Sequence, residues 1–259
     1  MPRFCANLTL LFNEVDFLDR FEKAARAGFK GVECLFPYAW EKERLAERLA
    51  AHGLVQVLHN LPAGDWNAGE RGIACLPGRE AEFQEGVGRA IDYAQALKCP
   101  QLNCLVGLTP KNAPADEVRQ TLLSNLRFAA AALEKQGIRL LVEALNDKDV
   151  PGFHLVRTAD VLALIQEVGH PNVFVQYDVY HMQIMEGNLT QTIRSNLGKI
   201  AHIQIADNPG RNEPGTGEIN YPNLFQAIDA AGYKGWIGCE YRPAGQTEDG
   251  LKWMEAFRR

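Results

Sequence analysis

No basic tract runs through this chain. Its 27 Lys and Arg are outnumbered by 32 Asp and Glu, for a net charge of −5. Nothing in it could follow a phosphate backbone, which argues against nucleic acid as a partner. No apolar run is long enough to span a bilayer, so no membrane partner is expected. Cysteine is scarce, six in 259 residues, and no Cys-x-x-Cys pair occurs. Cys34, Cys104 and Cys239 fall inside apolar runs, where the thiol acts as a small hydrophobe. Reduced thiols and a cytoplasmic home are the expectation. No Gly-x-Gly-x-x-Gly follows the first strand-like run, which removes the main support for a dinucleotide-binding fold. There is no low-complexity linker, so one domain is expected over 1–259. The N-terminal MPRFCANLTLLF has a single Arg, an apolar stretch broken by Asn7 and no small-residue cleavage site. It reads as a first strand rather than a signal peptide.

What is present is alternation. Eight short apolar runs, rich in β-branched and aromatic residues, read as strands: RFCANL, GVECLF, VQVLHN, QLNCLV, RLLVEAL, VFVQYD, AHIQIA and WIGCEY. Helical stretches such as FLDRFEKAARAG, EKERLAERLAAHG and DEVRQTLLSNLRFAAAALEKQG separate them. Several end in glycine, at Gly28, Gly53 and Gly137, as helices commonly do. In NYPNLFQAIDAAGYKG, Pro222 stands near a helix start and Gly232 near its end. Strict alternation implies a parallel sheet, and eight repeats imply closure. The fold class is therefore α/β, a single (β/α)8 TIM barrel, and the chain length suits one. The longest irregular stretch, about 61–78, follows the third strand and should lie over the mouth as an ordered lid carrying Trp66, Ile73, Cys75 and Leu76. A second loop, DNPGRNEPGTGEIN, follows the seventh strand.

The last four strand runs each finish at or near a ligand-type side chain: Glu143, Asp178, Gln204 and Glu240. Singly, each has a bland reading. Glu143 would pair with a surface Arg, Asp178 would cap a helix, Gln204 would bond backbone, and Glu240 would pair with Arg242. Together, at the ends of consecutive barrel strands, they make an oxygen-rich site where barrel enzymes place chemistry. Three carboxylates and an amide, without sulfur or imidazole, favour Mg²⁺ or Mn²⁺ over Zn²⁺ or copper. Two carboxylates flanking a metal-bound substrate can also serve as acid and base. His59, Asn103 and His181 are candidate substrate contacts or satisfied core groups. Glu70 and Arg71 lie in the lid. Arg71, Arg211 and Arg242 are the candidate cations for a substrate carboxylate.

At these residues the chain resembles the xylose isomerase-like TIM barrels, and within them the hydroxypyruvate isomerases. The resemblance runs over essentially the whole length. Its most distinctive stretches are HNLPAGDWNAGERGIACLPGRE, VEALN, QYDVYHMQ, HIQIADNPGRNEPGTGEINY and GWIGCEY. It implies that Glu143 and Glu240 are proton donor and acceptor, and that they ligate a metal with Asp178 and Gln204. It also implies that His181 lies beside substrate oxygens; His59, Glu70, Arg71 and Arg242 are further candidate substrate contacts from their places in the chain. Sugar-epimerase relatives often carry His where Gln204 stands, which bears on the metal's identity rather than on the site's position. The implied reaction is the isomerisation of hydroxypyruvate to 2-hydroxy-3-oxopropanoate through an enediol. The alternatives are an isomerase or epimerase of a longer keto acid or sugar such as a 2-oxo-tetronate, a nuclease-like phosphodiesterase, and a non-catalytic barrel binding a small acid. A nuclease would want several metals, many His ligands and a basic groove, which this composition does not offer. The expected partner is a small-molecule substrate, and the oligomeric state stays open, a homo-oligomer included.

Overall fold

Each apolar run is too short for a buried helix and is bounded by turn residues, and each forms a parallel strand. The strands are β1 Arg3–Asn7, β2 Gly31–Glu33, β3 Val55–Asn60, β4 Gln101–Cys104, β5 Arg139–Glu143, β6 Val173–Asp178, β7 Ile200–Ile205 and β8 Trp236–Cys239. They pair in chain order, and β8 returns to β1 with Cys5 opposite Gly238, so the sheet is a closed barrel. The computed structural model describes residues 2–257. The single (β/α)8 barrel expected from the alternation is what is found.

The helices are α1 Arg20–Arg26, α2 Lys42–His52, α3 Glu80–Leu97, α4 Ala115–Glu134, α5 Thr158–Val168, α6 Val179–Met185, α7 Leu189–Asn196 and α8 Tyr221–Ala230. They lie against the barrel through one apolar stripe. On α4 that stripe is Val118, Leu122, Leu126, Ala129 and Leu133, all buried at helical spacing. Each such leucine contributes about 1.5–3 kcal/mol by leaving water. Helices and strands are not matched one to one. Both α6 and α7 follow β6, whereas β8 leads into a 3-10 segment, Glu248–Phe257. That segment buries Leu251 and Met254, three apart as a 3-10 period requires, and its Trp253 ring meets Phe4 of β1 edge-on. The glycine stop at Gly53 is left-handed, but α3 ends on Lys98, a non-glycine at φ 51°. Among the described residues no helix is long and apolar enough to cross a membrane.

Alternation along the strands divides the barrel interior into two levels. Toward the strand starts, Cys5, Val57, Leu141 and Ala201 form an apolar floor with Phe174 and Trp236. Two residues further along β1 and β5 stand Asn7 and Glu143, the start of a polar belt at the mouth. The β2–β3 pairing slips by one residue after Val32, and this re-aims the end of β3.

The 61–78 stretch is anchored at its stem. Leu61 N donates to Asn103 O, Cys75 N to Val106 O, and Asn125 of α4 holds the Ala74 carbonyl. Gly72 sits at φ 113° with its Cα against the Leu105 carbonyl, where any Cβ would overlap backbone. The tip carries Trp66, which meets Phe36 edge-on with ring centroids 5.0 Å apart and stacks under the Arg71 guanidinium at 4.0 Å.

Candidate active site

The polar belt is contributed by seven strands. Glu143 ends β5, Gln176 and Asp178 lie on β6, Gln204 on β7, and Glu240 follows β8. Asn7, Glu33 and Asn103 complete it from β1, β2 and β4. All eight side chains are buried. The register explains the meeting, since Glu143 pairs with Gln176 and Asp178 with Gln204 across adjacent strands.

A continuous hydrogen-bond chain joins the two glutamates. Gln176 Nε2 donates to Glu143 Oε2 at 3.0 Å and to Gln204 Oε1 at 2.5 Å. Gln204 Nε2 in turn donates to Glu240 Oε2 at 2.6 Å. Asn103 Nδ2 also donates to Glu143 Oε2, at 2.9 Å. Burial pushes the Glu143 carboxyl well above the usual carboxylate range, and the charges of Glu240 and Asp178 push it further. Burial likewise raises Glu240, against the pull of Arg211 and with help from Asp178 and Glu33.

Asp178 does two things at once. Its Oδ1 accepts from the backbone N–H of Tyr180 and His181 and so caps α6. Its Oδ2 is buried and has no hydrogen-bond partner. Ligand atoms of Glu143, Asp178 and His181 lie within 4.8 Å of one another. The bland reading of Asp178 as a helix cap is therefore correct for one oxygen and silent about the other. His181 Nδ1 accepts from Asn146 N at 3.1 Å, so its neutral ring carries the proton on Nε2, which is 3.9 Å from Asp178 Oδ2. A protonated Nε2 donates rather than ligates. Burial lowers His181 to about 4, which keeps the ring neutral near pH 7.

Among the described residues, Arg211 is the cation paired with the belt. Arg211, on the loop after β7, puts Nη2 2.8 Å from Glu240 Oε1 and Nη1 3.7 Å from Asp149 Oδ2. Its guanidinium lies over the Tyr180 ring at 5.0 Å, and Tyr180 Oη donates to Asp149 Oδ2 at 3.0 Å. The Arg211 backbone is left-handed at φ 54°, an unfavourable setting for a side-chain-bearing residue. The loop enforces it. Buried Asp207 accepts from the N–H groups of Asn208, Gly215 and Ile219, and Arg242 N donates to Arg211 O.

Other sequence candidates stand elsewhere. Arg242 is exposed, and its backbone rather than its side chain supports the loop. His59 turns to Tyr38, whose ring packs on Tyr93 of α3, and Asn60 is the β3 residue that reaches the belt by accepting from Asn103. Glu70 binds Arg79 and the Asp65 N–H inside the loop, and Arg71 bonds the carbonyls of Trp66 and Glu70. Both serve the loop's own shape. Residues missing from the sequence reading are Asn7, Glu33, Asn60, Asn146, Asp149, Gln176 and Tyr180. A second group, Cys5, Glu33 and His202, also brings ligand-type atoms within 4.8 Å. Here His202 Nε2 sits directly on Glu33 Oε2 at 2.7 Å, so the contact an ion would mediate is already made.

Comparison with known proteins agrees with the barrel fold. Residues 21–257 match the family model described as xylose isomerase-like TIM barrel. The chain belongs to that family. It is 57% identical to the hydroxypyruvate isomerase of Escherichia coli strain K12, with all of both chains covered. It is 49% identical to the 2-oxo-tetronate isomerase of Cupriavidus necator, over 99% of each chain. A solved structure from Brucella melitensis, described as an AP endonuclease of family 2, superposes over the full length of both chains with a TM-score of 0.97 at 48% identity.

Proposed function

We propose that this chain is an isomerase that interconverts hydroxypyruvate and 2-hydroxy-3-oxopropanoate by proton transfer through an enediol. The observation that carries the reading is the pair Glu143 and Glu240. They stand at the ends of β5 and β8, buried, with raised proton affinity, and joined through Gln176 and Gln204. One glutamate takes a proton from the hydroxymethyl carbon, C3, while the other, protonated, gives its proton to the carbonyl oxygen, giving the enediol. The first glutamate then returns a proton to C2 while the second takes the proton of the C3 hydroxyl, leaving an aldehyde. Carboxyls whose proton affinity is shifted toward neutrality suit such two-way transfer.

Asp178 Oδ2, buried and unpartnered, and the Glu143 carboxylate beside it fit a hard divalent cation. Glu143, Asp178, Gln204 and Glu240 would hold it, and an all-oxygen set suits Mg²⁺ or Mn²⁺. Such an ion would supply polarisation of the substrate carbonyl and so acidify the neighbouring C–H. The Gln204 amide oxygen faces the Glu143 side, because its nitrogen is used by carboxylates. Of the three candidate cations, Arg71, Arg211 and Arg242, Arg211 is the one for the substrate carboxylate. His181 donates its Nε2–H to a substrate oxygen. The 61–78 loop, with Trp66 at its tip, excludes water from the enediol. The six free, buried cysteines support a reducing, cytoplasmic setting.

A second reading, isomerisation of a four-carbon 2-oxo-tetronate, draws support from the Cupriavidus necator relative. The same two glutamates serve both. A phosphodiesterase draws none from the site, where His181 and His202 are the histidines grouped with carboxylates among the described residues, or from the chain charge of −5. The test is turnover of three- and four-carbon keto acids in D₂O with Mg²⁺ or Mn²⁺. Deuterium on C2 of the three-carbon product is expected. Turnover of the four-carbon acid alone would move the assignment to the second reading. Complete transfer of the C3 hydrogen without label would replace proton transfer by a hydride shift.

A further inference from the structure

Glu33 is completely buried and ends β2, across the barrel from Glu143. Both of its oxygens are saturated. Oε1 accepts from Asn7 Nδ2 at 3.1 Å and Gln204 Nε2 at 2.7 Å. Oε2 accepts from His202 Nε2 at 2.7 Å and Cys5 Sγ at 3.4 Å. With four donors and no exposure, Glu33 has no lone pair to offer a substrate. Yet the same two amides that it holds, Asn7 and Gln204, also donate to Glu240 Oε2, at 3.0 and 2.6 Å. Two carboxylates thus share two amide NH₂ groups, and each amide spends one proton on each carboxylate.

This fixes Gln204. An atom lying 2.7 Å from Glu33 Oε1 is a nitrogen, since the Glu33 carboxylate, paired with His202, only accepts. Its amide oxygen is thereby turned the other way, toward Gln176 and Glu143. The neighbouring strand makes room for the arrangement. Gly238 of β8 lies in register with Gln204 and Cys5, and any Cβ there would overlap the Glu33 carboxylate. We propose that Glu33 is a positioning residue: by accepting from Gln204 and Asn7 it holds the Gln204 amide with its oxygen toward Glu143, and with it the Glu240 carboxylate. The proposal rests on the metal-assisted isomerase reading given above.

The test separates geometry from charge. Glu33→Asp keeps the charge but withdraws the acceptor by one methylene. Glu33→Gln discards the charge but keeps an oxygen within reach of both amides, with His202 Nε2 accepting from the new amide. Mn²⁺ affinity is measured by calorimetric titration on the wild-type chain and on both variants, each with Gln204 and with Gln204→Ala. Positioning predicts that Glu33→Asp weakens Mn²⁺ binding by about 10–100-fold, as loss of a ligand-orienting partner does. Glu33→Gln should weaken it far less, and on the Gln204→Ala background Glu33→Asp should lose most of its effect, keeping only what passes through Asn7 to Glu240. Overturning results are a Glu33→Gln loss as large as that of Glu33→Asp, or an undiminished Glu33→Asp effect without Gln204. If the wild-type chain itself binds no Mn²⁺, the metal-assisted reading falls and the positioning role with it. That outcome is told apart by the wild-type arm alone.

Discussion

Arg211→Met is the most informative single perturbation of this site. Methionine keeps the stem's bulk and bears a Cβ, so the left-handed backbone at φ 54° weighs equally on both chains. What is lost is the ion pair to Glu240 at 2.8 Å, between side chains that are 18% and 11% exposed. A fully exposed pair contributes about 0–1 kcal/mol, whereas removing one partner of a buried pair costs about 3–5 kcal/mol. At this intermediate burial about 2–4 kcal/mol is expected, or a fall in Tm of roughly 5–15 °C for a chain of this size. The sign of the pH dependence follows from Glu240. Burial raises its folded pKa from 4.5 to about 8, with the charges of Asp178 and Glu33 adding to the rise and Arg211 opposing it. A carboxyl with a raised folded pKa contributes stability that is fully present below its unfolded pKa and lost as pH rises through the folded one. Removing Arg211 lifts the folded value further and so deepens the loss at high pH. The gap between wild type and variant should be small near pH 5, where Glu240 keeps its proton in both. It should be largest at pH 8 and above. Denaturant unfolding across that range, in EDTA, measures it. A gap independent of pH, or one growing toward acid, would refute the coupling of Arg211 to Glu240.

Glu143→Gln and Glu240→Gln should each lower kcat by about 10²–10⁴-fold with the circular dichroism unchanged, and near-full activity in either removes that residue from the proton path. Asp178→Asn keeps an oxygen for the α6 cap but turns the unpartnered Oδ2 into a donor. Calorimetry should find Mn²⁺ binding weakened by at least about 10-fold while Tm barely moves. Shortening the loop tip at 65–69 should cut turnover far more than it lowers Tm, because the stem contacts of Ala74 and Cys75 remain. Unchanged turnover would deny the tip its role.

The barrel was legible because each strand run is short, apolar and ends abruptly in polar residues. The ligand-type residues at the ends of β5 to β8 were legible for the same reason. The other half of the belt was not. Asn7 and Glu33 sit inside runs already read as strands, and only closure of β8 onto β1 brings them against Gln204 and Glu240. His59 and Asn60 are adjacent, so a one-residue error in register exchanges the residue facing the belt for the one facing α3. The slip between β2 and β3 after Val32 decides that register, and no local pattern announces it. Arg211 and Arg242 could not be ranked either. Their places depend on how a 14-residue loop folds around Asp207, through bonds to backbone that any sequence would offer.

The charge balance of the belt leads to a final prediction. Four carboxylates, Glu33, Glu143, Asp178 and Glu240, are buried within one ring of strands, and Arg211 is the guanidinium that reaches them. His202 is spent on Glu33. Such an excess of negative charge out of water has two remedies. Protons can bind, which is what the raised affinities of Glu143 and Glu240 express, or a divalent cation can bind. The two remedies compete for the same oxygens, so metal uptake near pH 7 should expel protons. Both glutamates are donors: burial and the charges of Glu240 and Asp178 all raise Glu143, and Glu240, although Arg211 pulls it down, still stands raised to about 8. Calorimetric titration of Mn²⁺ in two buffers of different ionisation enthalpy counts the protons released. Between about one and two per ion are expected at pH 7, from the two glutamates, falling toward zero at high pH, where the carboxyls are already bare. Glu143→Gln should remove about half of the release. Binding that frees no proton at pH 7 would mean that the ion sits away from Glu143, and the assignment of the belt as its site would fail.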